Sequence, residues 1–139
     1  MAITLEDDAR GYLAAFEDRT GVTGRDCLVL EERLLIVVPA GEIADAIGPG
    51  GETVGRFEED VDRSVRLVED ADEPADFIAN ALAPAAVYNV TVSENDDLVA
   101  YVEVASEDRG VAIGKGGWTI EGARTLASRH FGVDDVQLI

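Results

Sequence analysis

Apolar positions along this chain alternate between two periods. Residues 5–19 place Leu5, Ala9, Tyr12, Leu13 and Phe16 on one stripe at helical spacing, and Gly21 stands after them as a stop. Two short runs rich in β-branched residues follow, 26–30 and 34–38, joined by Glu31-Glu32-Arg33, a connection of hairpin length. Pro39-Ala40-Gly41-Glu42 then opens a short helix ending at Gly48. A second helix runs from about Glu52, with Val54, Phe57 and Val61 as its buried face, and 64–68 is a strand. The order then repeats. Glu73-Pro74 starts a helix, since proline suits a first helical position. Strands at 86–92 and 98–104 flank a turn-rich loop from Ser93 to Asp97. A short helix near 106–113, a glycine turn, a longer helix to about His130 and a strand at 136–139 complete it.

Between the paired helices the same motif occurs twice: Ile47-Gly48-Pro49-Gly50-Gly51 and Ile113-Gly114-Lys115-Gly116-Gly117, 66 residues apart from Gly48 to Gly114. At that offset Leu34 to Val38 falls on Ala100 to Val104, and Thr53 falls on Thr119. Upstream, Tyr12 and Phe16 fall on Ile78 and Leu82. A long period with two copies predicts a duplicated domain rather than a solenoid. The expected units are 1–70 and 71–139, each of α+β class with a small sheet backed by helices. A linker as short as 69–73 favours units held in fixed relation.

Charge changes the picture. The chain of 139 residues carries a formal net charge of −18, with 29 acidic and 11 basic residues, and the acids lie in every segment, usually in pairs. Lys115 is its only lysine; every other basic residue is arginine. With 47% hydrophobic residues this is not a disordered acidic tail. A dispersed acidic surface nearly without lysine predicts a halophilic protein. Near 1 M salt the Debye length is about 3 Å and self-repulsion is screened.

Other signals exclude whole classes. The lone Cys27 permits no internal disulfide, which fits a reducing compartment. The acidic start has no apolar signal core, and no run approaches the roughly 20 apolar residues of a membrane span. A cytoplasmic protein with no membrane partner is expected. One histidine and one cysteine offer no catalytic constellation, so an enzyme, a cofactor and a small-molecule substrate are not expected. Gly110-Val-Ala-Ile-Gly-Lys-Gly has three residues, not four, before Gly-Lys, and Gly116 stands where a phosphate-binding loop needs Ser or Thr. The Asp-Asp pairs lack the alternating spacing of a calcium loop, so no metal site is expected.

An α-β-β-α-α-β unit with Ile-Gly-x-x-Gly between its paired helices resembles the type II, prokaryotic form of the KH domain. Two in tandem resemble the short archaeal family of NusA-like transcription factors, over nearly the whole chain. The resemblance implies single-stranded RNA as partner, in transcription termination or antitermination. RNA polymerase, or other transcription- or ribosome-associated factors, are the further partners it implies. The polymerase-binding and S1 domains of the bacterial relatives have no counterpart in these 139 residues.

In the KH mode about four nucleotides are clamped over the glycine turn, which lets backbone approach phosphate closely and leads into a helix N-terminus. The candidate contacts are Ile47, Gly48, Pro49, Gly50, Gly51 and Arg56 in the first unit. In the second they are Arg109, Ile113, Gly114, Lys115, Gly116, Gly117, Trp118 and Arg124. Ile47 and Ile113 are expected as core residues first and groove lining second. Trp118 could stack on a base or pack against the neighbouring unit. The arginines at 56, 124 and 129 could equally pair with carboxylates a turn away, while Arg63 and Arg66 are further possible cations of the first unit. Pro49 lacks an amide donor and Glu52 sits where the second copy has Trp118, so the second unit is expected to bind RNA more strongly. The competing reading is a KH-fold protein-interaction module with little RNA binding of its own.

Overall fold

A computed structural model describes residues 6–139; Leu5, expected on the first helical stripe, lies outside the described residues. Two compact units divide at Asp70 and Ala71. The first unit runs α1 (Asp7–Thr20), β1 (Asp26–Val29), β2 (Arg33–Val38), α2 (Ile43–Ile47), α3 (Glu52–Val61) and β3 (Ser64–Glu69). The second runs α4 (Pro74–Leu82), β4 (Val87–Glu94), β5 (Leu98–Val104), α5 (Arg109–Ile113), α6 (Trp118–Phe131) and β6 (Asp135–Leu138). Both are α+β units in which a three-stranded sheet is backed by helices.

The two sheets have the same topology, β1-β2-β3 and β4-β5-β6. A hairpin pairs the first two strands antiparallel, and the third lies parallel to the central strand. Parallel neighbours require a crossover, and here the two helices with the glycine turn between them supply it. The turn is therefore held at both ends by elements anchored in the sheet.

Burial follows from the apolar pattern. In the central strand β2, Leu34 to Val38 are at most 1% exposed, and Leu34, Ile36 and Val38 share a core with Phe16 and Phe57 of the helices. Phe16 of α1 and Phe57 of α3 are fully buried and meet edge to face at 5.2 Å between ring centres. Val54 and Val61, expected on the same buried face, are half-buried. In the second unit Phe77, Ile78, Leu82 and Leu126 fill the corresponding space, and Phe77 stacks against His130 and Phe131 at 5.4 and 5.3 Å. His130 is thus a packing partner at the end of α6. α1 ends at Gly21, whose amide donates to the Glu17 carbonyl at 2.8 Å with φ of 75°.

Strand register shows where the halves have diverged. Leu34 and Ala100 are matched at the 66-residue offset, yet they pair with Val65 and Val136, which are 71 apart. The difference lies in the helix: α3 has 10 residues and α6 has 14, one more turn. Across the hairpins, Val29 pairs with Leu34 and Val92 with Ala100. The second hairpin is longer, and Ser93 and Glu94 join its ladder instead of lying in the expected loop. The closing strand likewise begins at Asp135, one residue earlier than the pattern indicated.

Replacing Phe57 by Ala removes a fully buried ring and its edge-to-face partner. The expected loss is about 3–5 kcal/mol of stability, measured by denaturant unfolding in molar KCl; a loss under about 1 kcal/mol would contradict this packing.

Candidate nucleic-acid interface

Each glycine turn begins where a short helix stops. The Gly48 amide donates to the Ala44 carbonyl at 3.0 Å and the Gly114 amide to the Gly110 carbonyl at 2.9 Å. A single 3-10 turn then closes through Gly51 N–H to Gly48 carbonyl, 3.1 Å, and Gly117 N–H to Gly114 carbonyl, 3.0 Å. The dihedral angles repeat closely between the copies. Gly48 and Gly114 have φ, ψ of 75°, 173° and 80°, 166°, while Gly50 and Gly116 have 60°, 20° and 68°, 13°. Gly51 and Gly117, at 77°, 12° and 79°, 10°, lead into α3 and α6. Only Pro49 and Lys115 in these turns have room for a side chain without a left-handed backbone.

The glycines serve two separate needs. A Cβ on Gly48 would lie 2.1 Å from Thr53 Oγ1 and 2.6 Å from its Cβ; on Gly114 it would lie 2.3 and 2.8 Å from the same atoms of Thr119. Thr119 is 3% exposed, and its position leaves no space for a side chain opposite. Around Gly50, Gly51, Gly116 and Gly117, by contrast, a Cβ would meet nothing within 4 Å. The first glycine is required by packing, and the later ones leave the outer face bare. The N-cap residues of α3 and α6 are Gly51 and Gly117, which have no side chain to place over the helix end. A helix N-terminus behind a bare backbone is a favourable setting for an anion. Beyond matching at the 66-residue offset, the two threonines stand five residues after the first glycine in both copies, the sequence signal of this contact.

The isoleucines correct an expectation. Ile47 and Ile113 are not core residues but are 38% and 40% exposed. The inward positions of α2 and α5 are taken by Ala46 and Ala112, both fully buried, which turns the next residue outward. Each exposed isoleucine adjoins its glycine turn. In the second unit Val111 is also 44% exposed, while the first unit has Asp45 at the matching position. Trp118 is half-buried as the first residue of α6, and Lys115 is exposed, its ammonium in no ion pair among the described residues.

The arginines are largely engaged elsewhere. Arg56 pairs with Glu52 one turn back on α3. Arg124 pairs with Glu121 and, at 3.1 Å, with Asp135, and its Nε donates to the Val136 carbonyl at 3.0 Å. These contacts tie α6 to β6. Arg109, at the start of α5, donates to the Ile139 carbonyl at 3.1 Å. Arg63 joins three elements: its Nε donates to the Tyr12 hydroxyl at 3.0 Å, and its Nη1 to the Leu30 carbonyl at 3.0 Å and to that of Glu31. It follows the C-terminus of α3, about 15 Å along the helix from the glycine turn, and Arg129 lies in the last turn of α6. Burial lowers the pKa of Arg66, in β3. An open cleft of about 650 Å³ at that far end of α3 is lined by Glu32, Glu58, Glu59 and Asp62 with Arg63, a setting that repels phosphate. A hydrogen bond from the Gln137 amide, with the Val136 N–H and Arg124, holds the Asp135 carboxyl below the usual carboxylate range. Its contribution to stability is present above the ordinary carboxylate pKa and is lost as the pH falls through the lowered value.

The family model for a NusA-like second KH domain matches residues 74–137. A Halobacterium salinarum protein named "Probable transcription termination protein NusA" is 57% identical over 138 residues, covering 99% of each chain. A Halococcus morrhuae protein of the same name is 54% identical over 99% of both. The Methanococcus vannielii protein of that name is 32% identical, spanning 100% of this chain and 81% of its own. The crystal structure of APE1850 superimposes with a TM-score of 0.84 at 30% identity, covering 97% of this chain and 100% of that one. Relatives from two halophilic genera agree with the reading of the acidic surface.

The two glycine classes should respond differently to a methyl group. Gly114→Ala combines a clash against Thr119 with a left-handed backbone and should cost about 2–5 kcal/mol. Gly116→Ala faces open space and should cost only about 1–2 kcal/mol. Thermal unfolding in molar KCl distinguishes them, and equal losses would show that the Thr119 contact does not constrain the turn.

Proposed function

The chain belongs to the NusA family, and from that premise we propose that it binds single-stranded RNA at its two glycine turns, as a cytoplasmic factor in transcription termination or antitermination. The observation that carries this reading is the recurrence of one turn geometry with its outer face bare in both units. Phosphates approach the backbone at Gly50-Gly51 and Gly116-Gly117, where no side chain holds them away. The N-terminal ends of α3 and α6, the positive ends of their dipoles, favour the phosphate charge. Bases then lie along the exposed isoleucines, Ile47 in one unit and Val111 with Ile113 in the other. This is a binding role, and it calls on no catalytic group.

The second turn is the stronger clamp. Lys115 brings an unengaged cation to the phosphate path, and the Trp118 ring stands at the start of α6 where a base can stack. The first turn offers Pro49 without an amide donor and the Glu52–Arg56 pair, whose charges cancel. Arg109 and Arg124 act at the margin of this site, since both already hold backbone carbonyls of the last strand segment.

Two measurements test the proposal in molar KCl with a short single-stranded RNA. The double substitution Lys115→Asp with Gly116→Asp should lower affinity by at least about tenfold, whereas Pro49→Asp with Gly50→Asp should have the smaller effect. Unchanged affinity in the first variant defeats the assignment. Counterion release contributes little to this site, so affinity should fall only shallowly between moderate and molar KCl. A collapse over that range, or RNA crosslinks scattered away from both turns, would favour a protein-interaction module.

A further inference from the structure

The edges of the two sheets are not equally protected. An exposed edge normally carries a charge, a bulge, a short strand or a cover, because its free backbone groups can pair with another chain. In β1, the Cys27 amide donates to the Asp26 carboxylate at 2.8 Å, and the strand has four residues. In β3, the Val65 amide donates to Glu58 Oε2 at 2.9 Å. In β6, also four residues, the Val136 amide donates to Asp135 Oδ1 at 2.8 Å and its carbonyl accepts from Arg124. The fourth edge, β4, differs. It has eight residues, no strand pairs with its outer side, and among the described residues no side chain caps its backbone.

The same segment breaks the charge pattern of the molecule. Between Asp76 and Glu94 there is no charged residue, the longest such interval in a chain with 29% charged residues. If the dispersed acids serve solvation in salt, a surface without them is one that is not always in contact with solvent. Tyr88, inserted by the irregularity between Val87 and Asn89, is 69% exposed. It borders a cleft of about 260 Å³ between α4 and β4, lined by Ala75, Asp76 and Ala79 on the helix and by Val87, Tyr88 and Val90 on the strand. A groove between a helix and a free edge strand is the geometry that accepts an extended peptide. The two alanines, one helical turn apart, leave room for one of its side chains.

We propose that the α4–β4 groove is a docking site for an extended segment of a partner protein, which adds to β4 as a fourth strand and sets an arginine between Asp76 and Tyr88. Charge complementarity selects that residue. Asp76 is the only ionised side chain lining the cleft, no cation lines it, and a carboxylate beside an exposed ring suits a guanidinium. A second copy of this chain is a poor occupant, because its own β4 carries no basic residue and both copies bear −18.

The test is an amide-resolved NMR titration of the intact chain in molar KCl. The probe is a synthetic nonapeptide alternating valine and threonine with one central arginine. Shifts confined to α4 and β4 support the proposal. Asp76→Lys lies on an exposed position and should weaken this peptide by about fivefold or more and favour a glutamate-bearing version. Ala79→Trp, which fills the cleft, should abolish the shifts. An absence of shifts at millimolar peptide overturns the proposal. So do β4 shifts that grow with protein concentration alone, marking self-association, or β4 shifts produced by single-stranded RNA in place of the peptide.

Discussion

A methyl-sized space that is already occupied sets the architecture of both units. Thr53 and Thr119 sit where a Cβ on Gly48 or Gly114 would have to be, so the chain can pass that point only as glycine. The consequence spreads outward. With no side chain between them, the short helix and the long helix join through one 3-10 turn, and the backbone after the first glycine is thrust clear of the fold. Two further left-handed glycines then carry it into α3 or α6. Ala46 and Ala112 fill the inward side, which leaves Ile47 and Ile113 on the surface beside the turn. A bare backbone, a helix N-terminus behind it and an exposed isoleucine thus arise from one packing contact.

The sheet keeps that turn in place, and the arginines help it do so. Arg63 binds α1, the β1–β2 connection and the end of α3, while Arg124 binds α6 to β6. Exposed ion pairs contribute about 0–1 kcal/mol each, and less in high salt. The bonds from these arginines to backbone carbonyls matter more, because they satisfy groups that the sheet leaves at its ends. Arg10, Arg19, Arg25, Arg56 and Arg124 each pair with a carboxylate. The lysine is different: it stands on the turn itself, outside those pairs. Within the turn itself the units differ at its one variable position, Pro49 against Lys115, and next to it at Glu52 against Trp118.

Element order and the position of both turns were legible because glycines, proline and apolar period all pointed the same way. Helices and strands fall within a residue or two of the pattern at most boundaries. The misplacements have physical causes. The loop expected from Ser93 to Asp97 was too long because Ser93, half-buried, and Glu94, exposed, lie on an edge strand where polar residues cost little. The isoleucines looked like core because composition alone cannot tell which of two adjacent residues on a five-residue helix turns inward. Thr53 and Thr119 were visible only as matched letters; that they occupy the glycines' side-chain space is a fact of three dimensions. The destinations of Arg63 and Arg124 were equally hidden, since their partners are carbonyls, which sequence does not distinguish.

Net charge and an RNA-directed turn conflict only if binding must come from long-range attraction. At about 150 mM salt, where the Debye length is about 8 Å, a charge of −18 would push a polyanion away from most of this surface. At molar salt the reach falls to about 3 Å, so acids elsewhere on the unit cease to act on a phosphate at the turn. What remains are contacts: amide donors, a lysine at the turn, and apolar surface that salt does not weaken. A glycine turn supplies the first without adding any side chain, and the exposed isoleucines supply the last. The same solvent that requires the acids therefore removes their penalty at the site, and a chain built this way has no need of a basic face.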